Sequence, residues 1–184
     1  MAIIDNNHVS VTLIPEDMKA LGLITHDSPL QRIVRPEDMQ CSIIYAKAPI
    51  TGFVPKPDVI YSTVVTGAQI WYDPVIKSRD LVVTLDAPSI VERRNEIMKT
   101  HNAEPTDDVH FFPHITLVYS MPDYAHNYKW WINLILETFN VRFKDVVIRF
   151  SNESIGATEL GFSKSGETNT DQARIANDII TKSK

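Results

Sequence analysis

An imidazole and a hydroxyl two residues apart on a β-strand project from one face, where together they can move a proton and donate a hydrogen bond to a phosphoryl oxygen. The chain carries such a pair, His114 and Thr116, within His114-Ile115-Thr116-Leu117-Val118-Tyr119-Ser120. A second stretch follows the same pattern: Gln40-Cys41-Ser42-Ile43-Ile44-Tyr45-Ala46, with Ser42 as the hydroxyl two positions after its head residue. Side by side, two such strands bracket a phosphodiester. With a histidine at each head, one ring removes a proton from the attacking 2′-hydroxyl or water and the other protonates the departing 5′-oxygen. Here the first head is Gln40, which has nearly the reach of histidine and can hold a hydrogen bond but cannot exchange a proton near neutral pH. Losing one proton carrier typically lowers the rate by roughly 10²- to 10⁴-fold.

Other side chains compete for a place beside this pair. His8-Val9-Ser10 also spells a histidine and a hydroxyl on one strand face, and a His8 ring turned to the groove would stack on a base. Trp71 and Tyr72 end a predicted strand and would form a stacking wall. Glu153, at a bend after Phe150, is a carboxylate able to accept from a base amino group. Lys47 and Lys77 offer positive charge for a phosphate, and at least one of Trp130 and Trp131 is expected in the core. Cys41, the single cysteine, excludes an intrachain disulfide and thiol-based metal motifs; it reads as a small buried strand residue.

The elements that must position these groups alternate between strands and helices. Residues 8–14 are alternating and β-branched, a first strand, followed by a helix from Pro15 to about Leu23. The first twin strand spans 40–46, and a Pro-rich turn covers 48–57. Strands are predicted at 59–66, 68–72 and 80–86, with Gly67 and the Asp73-Pro74 pair as breaks. Ser89 and Glu92 read as a capping box opening a helix to about His101. The second twin strand spans 111–120, a helix 124–139, and final strands 141–150 and 154–160. The order gives two similar halves, each with a helix over a mostly antiparallel sheet, an α/β (α+β) bilobal domain over 1–162. Residues 163–184 read as a linker and a short amphipathic helix, with Ile175, Ala176, Ile179 and Ile180 at helical spacing, which would dock on the domain or join a second copy as a homo-oligomer.

Composition narrows the partners. With 43% hydrophobic and 22% charged residues the chain has the balance of a soluble domain, and no apolar run approaches the roughly 20 residues a bilayer demands. Its start lacks a signal-peptide pattern, so a cytoplasmic location is expected. A net charge of −5 argues against coating long nucleic acid, while one or two cations and backbone donors suffice for a small anionic ligand.

The segment Phe112-Pro113-His114-Ile115-Thr116-Leu117-Val118-Tyr119, following Asp38-Met39-Gln40-Cys41-Ser42-Ile43-Ile44-Tyr45 in a matching half, resembles the two-histidine phosphoesterase superfamily. That superfamily carries paired His-x-Thr/Ser motifs on neighbouring strands of a bilobal α/β fold. The chain is most similar to the bacteriophage anti-CBASS protein 1 family, in its size, its opening strand around Val9-Ser10-Val11 and its Pro-His-x-Thr motif, over residues 8–160. The resemblance implies metal-independent, cofactor-free hydrolysis of 3′-5′ bonds in cyclic di- and trinucleotide messengers, which silences the alarm in the host bacterial cytoplasm. It assigns His114, Thr116 and Ser42 to the catalytic motifs, places Gln40 at the first catalytic histidine, and supports a binding role for Glu153. Three readings of Gln40 stand open: an engineered variant that keeps its substrate bound, a non-catalytic binder that sequesters the messenger, or an enzyme with another second proton carrier. A relative acting on RNA ends with 2′,3′-cyclic phosphates is the further alternative, against which the absent basic stripe counts.

Overall fold

The structure is a computed structural model describing residues 3–30, 33–73, 77–106, 110–121 and 123–159. Among these residues six strands form one antiparallel sheet: β1 (Ile3–Leu13), β2 (Gln40–Tyr45), β3 (Tyr61–Asp73), β4 (Ser78–Asp86), β5 (His114–Val118) and β6 (Val147–Glu159), in the spatial order β2-β1-β6-β3-β4-β5. The two halves are β2-β1-β6 and β3-β4-β5, joined where Val147 to Phe150 of β6 pair with Tyr61 to Val64 of β3. This is the mixed α+β class expected from the element order.

The twin strands β2 and β5 lie at opposite ends of that order, yet they touch. Sheet twist brings the ends round, and two crossed connections fasten them. Val34, upstream of β2, donates its N–H to Leu117 O of β5 at 2.8 Å, with Ile33 bridged to Val118. Reciprocally, residues 104–106, upstream of β5, pair with the end of β2: Lys47 N–H donates to Glu104 O and Thr106 N–H to Tyr45 O, both at 2.8 Å. Each twin strand is thus edged, over a few residues, by the segment that leads into the other.

Among the described residues, three α-helices cover the sheet: α1 (Pro15–Thr25), α2 (Pro88–His101) and α3 (Lys129–Glu137). Pro15 and Glu16-Asp17 suit the first turn of α1, where φ is preset and negative charge meets the positive end of the dipole. α2 buries Ile90, Arg93, Arg94 and Ile97, one helical stripe, and stops at Asn102 in the left-handed conformation. Trp131 is in the core and Trp130 is exposed.

Several boundaries differ from the sequence expectation. Gly67 does not break a strand; β3 runs through it on a bulge, where a Cβ would collide with Asn140 Oδ1, which accepts from Ala68 N–H. The capping box at Ser89 does not form, because Pro88 already lies inside the helix, Ala87 is the cap, and the Ser89 hydroxyl is buried without a partner. The last two strands are one, β6, kinked at Asn152 with φ +53°, and Val141 belongs to a π-turn (Thr138–Arg142) that ends the third helix. A six-residue 3₁₀ segment, Asp123–Tyr128, replaces the first turns predicted for that helix. The C-terminal linker and helix fall outside the described residues. No helix among the described residues is long and apolar enough to cross a membrane.

Candidate functional site

Both twin strands carry a bulge at the same place. In the β1–β2 ladder the pairing steps from Val9–Ile44 to Ser10–Ser42, so Ile43 is the extra residue; in the β4–β5 ladder it steps from Leu81–Val118 to Val82–Thr116, so Leu117 is. A bulge resets the alternation, so the tyrosine three positions after each hydroxyl returns to the hydroxyl's face. Ser42 accordingly donates to Tyr45 Oη at 3.2 Å, and Thr116 hydrogen-bonds the Tyr119 hydroxyl. Burial raises the Tyr119 pKa, opposed in part by that bond, so this phenol stays protonated at neutral pH.

His114 Nδ1 lies 2.8 Å from Phe112 O. A carbonyl only accepts, so Nδ1 carries the proton and Nε2 is the basic nitrogen of the neutral ring. Trp71 leans over this imidazole with ring centroids 4.5 Å apart, holding its plane. On the facing strand, Cys41 is buried against the His114 backbone, and burial pushes its thiol up to about 12. Ser42, Tyr45, Trp71 and His114 line one open cleft of about 450 Å³, together with Arg94, Thr106 and the segment His110-Phe111-Phe112. The Arg94 guanidinium stacks 4.3 Å over the Phe111 ring and donates to Ile43 O at 3.0 Å, which pins the first bulge to α2.

Gln40 shares the face of Ser42, two residues away and before the bulge. Its Oε1 accepts from Ser10 Oγ at 3.0 Å. His8, opposite Tyr45 in the ladder, is 2% exposed and stacks flat on the Tyr45 ring, centroids 4.0 Å apart. Its Nε2 is 3.1 Å from Ser42 Oγ, and with the Ser42 proton directed to Tyr45 the imidazole N–H is the donor. Burial lowers the His8 pKa to about 4, so the ring is neutral at physiological pH. The geometry therefore replaces the expected base-stacking role of His8: its accessible face is covered by Tyr45, and it supports Ser42 from below.

The structure brings Ser42, Trp71 and His114 to one cleft, with Gln40 and Thr116 on the same strands. Tyr72 and Glu153 do not join them. Tyr72 is 59% exposed and outside the cleft lining. Glu153 points inward instead of toward a base: Arg93 grips it with Nε and Nη2 at 2.9 and 2.7 Å, while Tyr61 Oη and Lys56 N–H also donate to it. Burial alone would raise its pKa, but these donors outweigh burial and hold it below the usual range. Lys47 is paired with Glu104 at 2.7 Å. Tyr45 and Arg94 are cleft-lining residues that single-strand reasoning missed, and Ser10, read there only as the hydroxyl after His8, meets Gln40 across the ladder. Tyr45 was present in the repeated pattern, but only a bulge makes a residue at odd spacing face the site.

An antiparallel sheet with two matched, bulged edge strands meeting at a shared cleft is the two-histidine phosphoesterase type of fold. The family model for "Anti-CBASS protein Acb1" matches residues 6–146, and the chain belongs to that family. Membership supports a phosphodiesterase-type function. Among solved structures, Usb1 of Kluyveromyces marxianus matches with a TM-score of 0.44 and 8% identity over 82% of this chain and 92% of that one. The same protein with uridine monophosphate matches with a TM-score of 0.39 and 9% identity over 78% and 91%. No curated protein sequence matches.

Proposed function

We propose that the chain binds a cyclic di- or trinucleotide with one 3′-5′ phosphodiester between β2 and β5, and that Gln40 makes it a retentive, slow form of a metal-independent phosphodiesterase. The observation that carries this reading is the fixed tautomer of His114: Phe112 O holds Nδ1–H, which leaves Nε2 as the proton-exchanging atom in a cleft shared with Ser42. Thr116 and Ser42, each tied to a tyrosine, stiffen the two half-sites, and Trp71 supplies an aromatic wall for a base. Family membership supports the phosphodiester as the reacting group.

In this mechanism His114 Nε2 takes the proton of the attacking hydroxyl or water, or returns it to the leaving oxygen, and Gln40 donates a hydrogen bond without exchanging a proton. The neutral His8 ring, with its pKa near 4 and no direct access to the cleft, is a poor substitute for the missing acid. Incubating the chain and its Gln40→His variant with 3′-5′ cyclic dinucleotides in EDTA, and resolving products by chromatography, tests the reading. Hydrolysis that rises roughly 10²- to 10⁴-fold in the His variant is the expected result. Tight binding by both with no hydrolysis by either would leave a sequestering protein in place of an enzyme, and turnover only of linear RNA with 2′,3′-cyclic ends would overturn the cyclic-messenger assignment.

A further inference from the structure

Resting on the reading that this cleft holds a phosphodiester, we propose that Ser10 is a positioning residue whose hydroxyl holds Gln40 Oε1 while the carboxamide gives its N–H₂ end to a phosphoryl oxygen. A carboxamide has an accepting end and a donating end, and which of them meets a ligand depends on what engages the other. Ser10 lies on β1 directly opposite Ser42, two residues from Thr12, the partner of Gln40. Its hydroxyl donates to Gln40 Oε1 at 3.0 Å, and at 5% exposure the serine is sheltered from water that would compete for that bond. With Oε1 engaged, the Nε2–H₂ end is turned away from Ser10. Among the described residues none accepts a hydrogen bond from it.

Phosphoryl oxygens accept and never donate, so only the N–H₂ end of the amide complements them; the reversed amide would set a carbonyl dipole against the anion. The two heads are thus held by different devices. A backbone carbonyl, which only accepts, holds the proton on Nδ1 of His114 and makes its far nitrogen basic, whereas the Ser10 hydroxyl, which can donate or accept, supplies the donor that Gln40 Oε1 needs when a phosphoryl oxygen takes the N–H₂ end.

The test uses two probes on the full chain. In ¹⁵N-resolved spectra titrated with dimethyl phosphate, a bare phosphodiester, the Gln40 side-chain N–H₂ pair is expected to shift in the wild type and in Ser10→Thr, but not in Ser10→Ala. With a phosphorothioate 3′-5′ cyclic dinucleotide, calorimetry is expected to show about tenfold weaker binding for Ser10→Ala. Gln40→Ala is expected to weaken binding similarly, and the double variant to be no weaker than either single one. An unshifted Gln40 amide in the wild type, or losses that simply add, overturns the role of Ser10. A Gln40 shift with dimethyl phosphate but no binding of the cyclic probe retains the positioning role and removes the cyclic-nucleotide reading alone.

Discussion

The two half-sites share a scaffold and differ in their locks. β2 and β5 each place a head residue, a hydroxyl two positions on, a bulge, and a tyrosine hydrogen-bonded to that hydroxyl. In the β5 half the head is an imidazole whose Nδ1 is held by Phe112 O; in the β2 half it is a carboxamide whose oxygen is held by Ser10. Beneath the tyrosines the halves part again. Neutral His8 stacks on Tyr45, while buried Asp80 accepts from Ser120 N–H beside Tyr119 and disfavours its ionisation. A strand pair can therefore keep its geometry while the type of its head residue decides whether a proton can be exchanged there or only a hydrogen bond made.

The largest effect expected from breaking this asymmetry is on rate. In the Gln40→His background, His114→Ala should lower cyclic dinucleotide hydrolysis by roughly 10²- to 10⁴-fold, measured as initial rate. Equal slow rates before and after that substitution would show that β5 holds no proton carrier.

A control outside both half-sites comes next. Arg93→Leu strands the Glu153 carboxylate in the core, and urea unfolding should register a loss of about 3–5 kcal/mol. If the pair is structural, cyclic dinucleotide affinity measured below the unfolding midpoint should change little. A selective loss of affinity would return Glu153 to the ligand site.

The third effect separates the halves by pH. The folded-state pKa of His8, about 4, lies below the ordinary 6.5, so the unfolded chain binds the extra proton first. The stability this neutral ring contributes is complete above pH 6.5 and is lost as pH falls through 4, by roughly 3 kcal/mol in total. Carboxylates add their own acid dependence, so the measurement is the difference in unfolding free energy between the chain and His8→Gln across that window; parallel curves would refute the shift. Smallest is the tyrosine bond: Tyr45→Phe and Tyr119→Phe should each cost about 1 kcal/mol of stability, near the value of one hydrogen bond. Markedly unequal losses would mean that the two scaffolds are less alike than their registers suggest.

The sequence exposed the repeated strand pattern because alternation and residue type are local, and a period of two survives without knowledge of neighbours. It also located α2 nearly to its ends, although the capping box at Ser89 that placed its start does not form and Pro88 lies inside the helix. Glu153 and His8 were misread for a common reason. An acid or imidazole looks equally available on paper whether it meets solvent or, as here, Arg93 from α2 and Tyr45 across a ladder. The merging of strands through Gly67 and past Asn152 was hidden because a bulge and a break begin with the same residue types.

What the sequence determined by itself, then, is the inventory: one strand motif headed by a histidine, a twin headed by a glutamine, and the family to which the chain belongs. The tertiary structure decided that strands at opposite ends of the sheet order meet, through connections in which each twin is edged by the other's leading segment. It also decided that Gln40 meets Ser10 and that His8 lies beneath Tyr45, because hydrogen bonding and desolvation depend on partners brought from 30 and more residues away.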